Sequence, residues 1–276
     1  MAYKASLAQE TMLLELRDYH KASGLSLREL EEALGWANAK ASKILRGKQG
    51  ASLADLNGLM EVLKVPRAER TRLRKLRTQS RVKQVWWDAH PWISEEFGRY
   101  LALEDAAVSI CTVQSVVFPG LLQIPEYMEK LFESSSSLSR VVVQDAVDVR
   151  RKRQEILEKH TLKYTAILAP GILQTGPPEI LRKQLKHTIE LAERPNVDIC
   201  VISKDYIVSS SDLGLLVLPG GRERAATDTP LLGALVLDDP AQVRRVRRAI
   251  ESYKAHALDP EESVKLMSHM LREVRE

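Results

Sequence analysis

The chain has 276 residues, 44% hydrophobic and 28% charged, which fits a soluble globular protein long for one domain and comfortable for two. No apolar run approaches the roughly 18 residues of a membrane span, and the first residues carry Gln9, Glu10 and Glu15 where a signal peptide would be apolar. The net charge of +4 is unevenly placed: residues 1–84 hold 17 Lys+Arg against 9 Asp+Glu, and residues 85–276 hold 24 against 28. A basic N-terminal third joined to a mildly acidic remainder fits a nucleic-acid-binding module attached to something else. A cytoplasmic protein without a membrane partner is expected.

The first helix is expected over residues 8–23, with Met12, Leu13, Leu16 and Tyr19 at helical spacing and Gly24 ending it. Ser26 stands three residues before Glu29, a capping box that opens a short helix over Leu27–Leu34. Gly35 and Trp36 break that helix. A second short helix is expected from about Ala37 to Arg46, stopped by Gly47. Two short helices joined by a glycine-containing turn form the pattern of a DNA-reading helix-turn-helix. The N-terminal residues of the second helix face base edges in such motifs, so Asn38 suits adenine and Lys43 suits guanine or phosphate. Arg28, Lys40, Arg46 and Lys48 stand where phosphate contacts would fix the register, and Ser42 adds a polar group on the same helix. An ordinary helical hairpin with a solvated basic face is the alternative.

Ser52 is expected to cap a fourth helix with a core stripe of Leu53, Leu56, Leu59, Met60 and Leu63, and Pro66 to open a fifth, Arg67–Lys83. The fifth is arginine-rich around only Leu73 and Leu76. Trp86, Trp87 and Trp92, three of the chain's four tryptophans, frame WWDAHPW. A packed domain junction is the favoured reading, and a ligand-pocket wall of Trp86, Trp87, His90 and Trp92 the alternative.

Beyond the junction, a helix over Ile93–Ser109, a buried strand or extended segment over Ile110–Phe118, a helix starting at Pro125 and a long helix over Ser139–Lys159 are expected. In the last of these Arg150–Arg153 read as solvated. Residues 164–168, 197–202, 213–218 and 233–237 are short apolar runs that read as strands of a small, mostly buried sheet. The helix Pro178–Arg194 between the first two makes a βαβ unit. Asp239–Pro240 and Asp259–Pro260 open two further helices, Gly220–Gly221 reads as a hairpin turn, and the pentapeptides PGLLQ (119–123) and PGILQ (170–174) look alike. The expected fold class is α+β overall: an all-α five-helix domain over 1–84, then a mixed α/β domain with a small sheet over 85–276.

Catalytic signals are poor. The six histidines show no metal-ligand spacing, and no HExxH, CxxC, GxGxxG, Walker loop or GxSxG elbow occurs. No metal or cofactor is expected, and an enzyme is the less favoured reading. Cys111 and Cys200 lie in apolar runs and read as buried free thiols.

With these residues in view, Leu25–Pro66 resembles the repressor-like (Cro/C1-type, XRE) helix-turn-helix family, through LSLRELEEALGW, KASKILRG and SLADLNGLMEVLKVP. The remainder resembles the C-terminal, antitoxin-like domain of unknown function of actinobacterial regulators, through FPGLLQIPEYMEKLF, VDVRRKRQEIL, EILRKQLKHTIELAERPNVDICVI and ALDPEESVKLM. The resemblance implies a transcriptional regulator that binds double-stranded DNA and pairs with a small partner protein. In the family, position 31 is usually alanine because two helices cross there. Position 39 is often a serine facing DNA, 41 is Val or Ile, 45 commonly glutamate and 27 commonly polar. This chain has Glu31, Ala39, Ala41, Leu45 and Leu27 instead. Ala169–Gly171 likewise replaces a stretch that usually carries an acidic residue. Glu31 is awkward at a crossing, and the lost polar readers weaken the expectation of base-specific readout.

The leading expectation is a homodimeric DNA-binding regulator whose C-terminal domain senses a small-molecule effector or a partner protein. The alternative is a regulator scaffold recruited as an enzyme or small-molecule binder in a biosynthetic pathway, with degraded DNA readout.

Overall fold

The computed structural model describes residues 7–80, 86–134, 140–208, 212–229 and 233–274. The chain forms two compact units, Met1–Pro91 and Trp92–Glu276. The boundary expected between residues 84 and 85 lies outside the described residues.

In the first unit the described helices are α1 (Leu7–Ser23), α2 (Leu27–Leu34), α3 (Lys40–Leu45), α4 (Leu53–Val62) and α5 (Arg67–Gln79). Their apolar stripes meet in one core, with Met12, Leu13 and Leu16 from α1, Leu30 from α2, and Ala41, Ile44 and Leu45 from α3. Leu56, Leu59 and Met60 of α4 and Leu73 of α5 close it. Both capping boxes form: the Ser26 hydroxyl accepts from the Glu29 N–H and the Ser52 hydroxyl from the Asp55 N–H, each reciprocated by the acidic side chain. The packing of α4 on α2 needs the glycine at position 58, where a Cβ would stand 2.9 Å from the Leu34 side chain.

Three expectations are corrected here. Leu53, the first residue of α4, is 47% exposed and leaves the expected stripe. The helix α3 begins at Lys40 rather than about Ala37, because Ala39 takes a left-handed conformation at φ +66° that no helix interior accommodates. Asn38 therefore lies in the turn before the helix. Several arginines of α5 also serve the fold. Arg70 donates to the Val65 carbonyl, Arg77 to the Ala51 carbonyl, and Arg72 pairs with the fully buried Glu15 at 2.7 Å. Arg81 and Lys83 lie outside the described residues.

The second unit contains α6 (Glu95–Ala106), β1 (Ser109–Gln114), α7 (Pro125–Ser134), α8 (Arg140–Gln154), β2 (Lys163–Leu168), α9 (Pro178–Ala192) and β3 (Val197–Val201). Then follow β4 (Leu213–Val217), β5 (Glu223–Thr229), β6 (Gly233–Leu237), α10 (Pro240–Ala255) and α11 (Pro260–Glu273). The strands form one six-stranded sheet in the order β3-β2-β1-β4-β5-β6. β1, β2 and β3 pair in parallel, and β4, β5 and β6 continue the sheet antiparallel. The βαβ unit β2–α9–β3 is as expected, and Gly220 and Gly221, both at positive φ, turn the β4–β5 hairpin. The PGLLQ and PGILQ segments are built alike: each holds a 3₁₀ turn (Gly120–Leu122 and Pro170–Gln174) between a parallel strand and the next helix.

One sheet face carries Val113, Ile167 and Leu215 against Val243, Val246 and Ile250 of α10. The other, to which Thr112 and Gln114 point by strand alternation, meets Tyr100 of α6 and Arg153 of α8. Here the expectation of a solvated Arg150–Arg153 run is overturned in part. Arg151 and Lys152 are exposed, but Arg150 and Arg153 are 6% and 4% exposed. Two positions three apart share a helix face, and that face is the buried one. The strand β5 was missed because ERAATDT lacks an apolar run. The long helix expected over 139–159 ends at Gln154 and continues as a 3₁₀ turn, Glu155–Glu158, while Ser139 and the loop residues 135–137 lie outside the described residues.

Candidate nucleic-acid interface and effector cleft

The helix-turn-helix places α3 with Ala41, Ile44 and Leu45 in the core and Lys43 and Arg46 on the opposite, exposed side. Asn38 and Ala39 in the preceding turn and Lys48 in the following loop are exposed on the flanks, and Ser42 is half-buried. Arg28 is exposed on α2, where its guanidinium pairs with Glu32 at 2.9 Å. Lys40 differs from its neighbours. Its ammonium pairs with Asp55 at 2.7 Å and lies over the Trp36 ring at 4.5 Å, so its charge is directed into the domain. Burial works against ionisation of Asp55, but Lys40 and the hydroxyl and N–H of Ser52 outweigh it and hold the carboxyl below the usual range.

A helix of six residues exposes most of its terminal N–H and C=O groups, and Ala39 offers no side-chain cap. Glu31 supplies it from α2. Its carboxylate, on a residue only 5% exposed, accepts from the Ala39 N–H at 3.0 Å and from the Ala41 N–H at 2.8 Å. At the other end the Arg17 guanidinium donates to the Leu45 carbonyl at 2.6 Å, and Gly47, at φ +72°, turns the chain away. Glu31 is thus no obstruction at a crossing. It satisfies backbone donors that a serine at position 39 would otherwise cap, and this role was missed because it depends on a contact between two elements.

The four aromatic candidates are divided. Trp86, Trp87 and His90 belong to the first unit and Trp92 to the second. Trp86 meets the buried Trp87 edge-on at 5.5 Å and His90 at 6.1 Å. Trp92 is 40% exposed, and its indole N–H donates to Asp145.

The second unit has a cleft of about 350 Å³ that none of those four residues lines. It lies over the carboxyl end of β1, the strand at which the sheet changes from parallel to antiparallel pairing. Ligands of open α/β sheets bind in crevices at such points. Its polar groups are set by a buried network: Arg153 grips Glu104 through two 2.9 Å hydrogen bonds, and the Tyr100 hydroxyl donates to Glu104 at 2.9 Å. The Tyr164 and Thr112 hydroxyls share a 3.0 Å hydrogen bond, and burial pushes the Tyr164 phenol up from its ordinary pKa.

A helix-turn-helix domain matches residues 12–73, and a domain of unknown function (DUF5753) matches residues 97–269, more than half of the chain. The chain belongs to the DUF5753 family. No curated protein and no solved structure matches it significantly.

The first match covers the whole motif from Arg17 to Lys48, and a helix-turn-helix domain supports DNA binding. The second covers the entire lining of the DUF5753 cleft, whose residues come from separate helices and strands. No linear spacing marks them, which is why the sequence singled out none of them. Among the described residues no helix is long and apolar enough to cross a membrane, and no group of three His, Cys, Asp or Glu side chains could hold a metal ion.

Proposed function

We propose that this protein is a DNA-binding transcriptional regulator of the repressor-like (XRE) type, acting as a homodimer in the cytoplasm. The observation that carries the reading is the exposed polar side of α3, bearing Lys43 and Arg46, on a helix held at both ends by Glu31 and Arg17. Asn38 and Lys43 are the candidate base readers. Arg28, Arg46 and Lys48 would contact phosphates, with Ser42 a minor polar contact. Lys40 was placed in the same group from the sequence, and its pairing with Asp55 argues for a smaller share. One short recognition helix supplies few contacts, which favours two copies on a half-site pair. The decisive measurement is a gel shift on DNA upstream of the protein's own gene, titrated with salt. Binding should weaken steeply as salt rises, and salt-independent binding would overturn the phosphate contacts.

The DUF5753 unit is the proposed receiver of a signal, either a small-molecule effector or a small partner protein. Its cleft favours the first. Co-purification of a small protein in stoichiometric amount would favour the second. A scaffold recruited solely to bind a small molecule is supported by the same cleft and by Ala39 and Leu45 at positions that are commonly polar in the family. A ligand response without any DNA shift would select it.

A further inference from the structure

We propose that the DUF5753 cleft is a binding site for a small uncharged ligand carrying an amide-type donor–acceptor pair, such as a lactam or carboxamide, anchored by Gln114. The inference deepens the effector reading above and rests on it. Its strongest support is Gln114 itself. The residue ends β1 and lines the cleft at 7% exposure, yet its carboxamide makes no hydrogen bond to any described residue. A buried amide left without partners is costly, and groups of that kind in native proteins are answered by water or ligand.

The floor gives a second, independent observation. Thr112, Gly214 and Ala226 are register partners across β1, β4 and β5, so three small residues stand in one row beneath the opening. Glycine is not demanded by the backbone at 214, which is not among the positive-φ positions. Nor is it demanded by crowding, because a Cβ there would meet the Ala226 carbonyl at 3.5 Å, an ordinary contact. The missing side chain leaves open volume in the middle of a sheet, where glycine otherwise weakens the strand. A cleft of about 350 Å³ falls at the lower end of ligand sites, which span roughly 300–1,000 Å³.

The chemistry of the lining selects the ligand class. The cationic group in the wall, Arg153, is already bound through two nitrogens to Glu104, and Asp212 at the rim is itself engaged. An added charge would find no uncommitted counter-ion and would lose its hydration. Gln114 presents one donor and one acceptor group side by side, the complement of another amide. The paired hydroxyls of Tyr164 and Thr112 can each donate or accept, and Pro119, Leu121 and Leu213 supply apolar walls.

The test uses the full chain with nicotinamide and 2-pyrrolidinone as neutral amide probes and nicotinate as the charged counterpart. Binding is read by saturation-transfer NMR and by the side-chain ¹H–¹⁵N signals of Gln114, assigned by their loss in Gln114→Leu. Both amides should bind in the millimolar range expected of fragments and shift those signals, with nicotinate at least tenfold weaker. Gln114→Leu should weaken both amides roughly tenfold, the loss of about one well-placed hydrogen bond. Gly214→Val should block them, with Gly214→Ala as the milder substitute should the valine chain not fold. Unmoved Gln114 signals, equal binding of nicotinate, or undiminished binding by Gln114→Leu would each overturn the proposal. A chain that shifts DNA but ignores both amides keeps the regulator reading and loses this site. A chain that binds the amides through Gln114 but not DNA does the reverse.

Discussion

The carboxylate of Glu31, carried on α2, accepts a hydrogen bond from the N–H of Ala39 at 3.0 Å, so the recognition helix is capped from another element. Ala39 holds φ +66° without a side chain that can hydrogen-bond, a conformation unfavourable for an L-residue with a Cβ. The cap and the strain are therefore separable. Glu31→Ala should destabilise the first unit by about 1–2 kcal/mol, since it orphans two N–H groups at once. Ala39→Gly should stabilise it by up to about 1 kcal/mol through relief of the left-handed strain. Calorimetry on the full chain, with amide exchange to assign the transition, separates these effects. Equal stability of Glu31→Ala and the parent would remove Glu31 from the account of how α3 is held.

Lys40 and Asp55 connect the same helix to acid stability. Asp55 ionises more readily in the folded chain than in the unfolded one, because Lys40 and Ser52 outweigh its burial. A carboxyl with a lowered folded pKa contributes stability above its unfolded pKa near 3.8 and loses it as pH falls through the folded value. The first unit should therefore weaken below about pH 4, and Lys40→Met should move that loss to higher pH. The Asp55 carboxyl ¹³C shift followed against pH reports both. Lys40→Met should also leave the salt dependence of DNA binding nearly unchanged, whereas Lys43→Ala should reduce the slope by about one. Equal slopes for the two variants would contradict the inward placement of Lys40.

Much of this architecture is legible in local signals. Ser26, Ser52, Asp239 and Asp259 each cap the helix that their position announces, and four apolar runs coincide with β2, β3, β4 and β6. Such features depend on neighbours a few residues away. What escaped depends on partners far along the chain. β5 owes its place to the hairpin with β4 rather than to its own composition, and Glu31 acts across a turn. Arg150 and Arg153 look like part of a solvated run until Gln123 and Glu104 are brought against them. The cleft is the extreme case, since Gln114, Tyr100, Arg153 and Gly214 come from four elements.

The Glu104–Arg153 pair is 2% and 3% exposed at its side chains, with both hydrogen bonds at 2.9 Å. Removal of one partner leaves a buried charge without compensation, which typically costs about 3–5 kcal/mol. Glu104→Ala should therefore be severe. A double replacement by apolar residues of similar size, Glu104→Leu with Arg153→Met, should recover most of the loss, because neither buried charge then remains. Thermal melting of the three variants checks this. A double variant as damaged as Glu104→Ala would mean that the pair is needed for its shape, not for mutual neutralisation.

Cys111 and Cys200 are free thiols on β1 and β3. Burial is the main cause that pushes the Cys111 thiol up, to about 12, with the nearby Lys254 only partly offsetting it. At pH 8 roughly one Cys111 in ten thousand would be thiolate, so a disulfide reagent should react very slowly with the folded chain. Both thiols should react promptly once urea exposes them. The same shift has a stability consequence of definite sign. From pH 9, where the unfolded thiol begins to ionise, toward 12, the unfolded chain releases a proton that folded Cys111 retains, and stability falls as pH rises. Cys111→Ala should remove that part of the alkaline loss, at the expense of a small cavity beside β2. Labelling of Cys111 in the native chain at a rate close to that in urea would show that the thiol is not shielded as its burial requires.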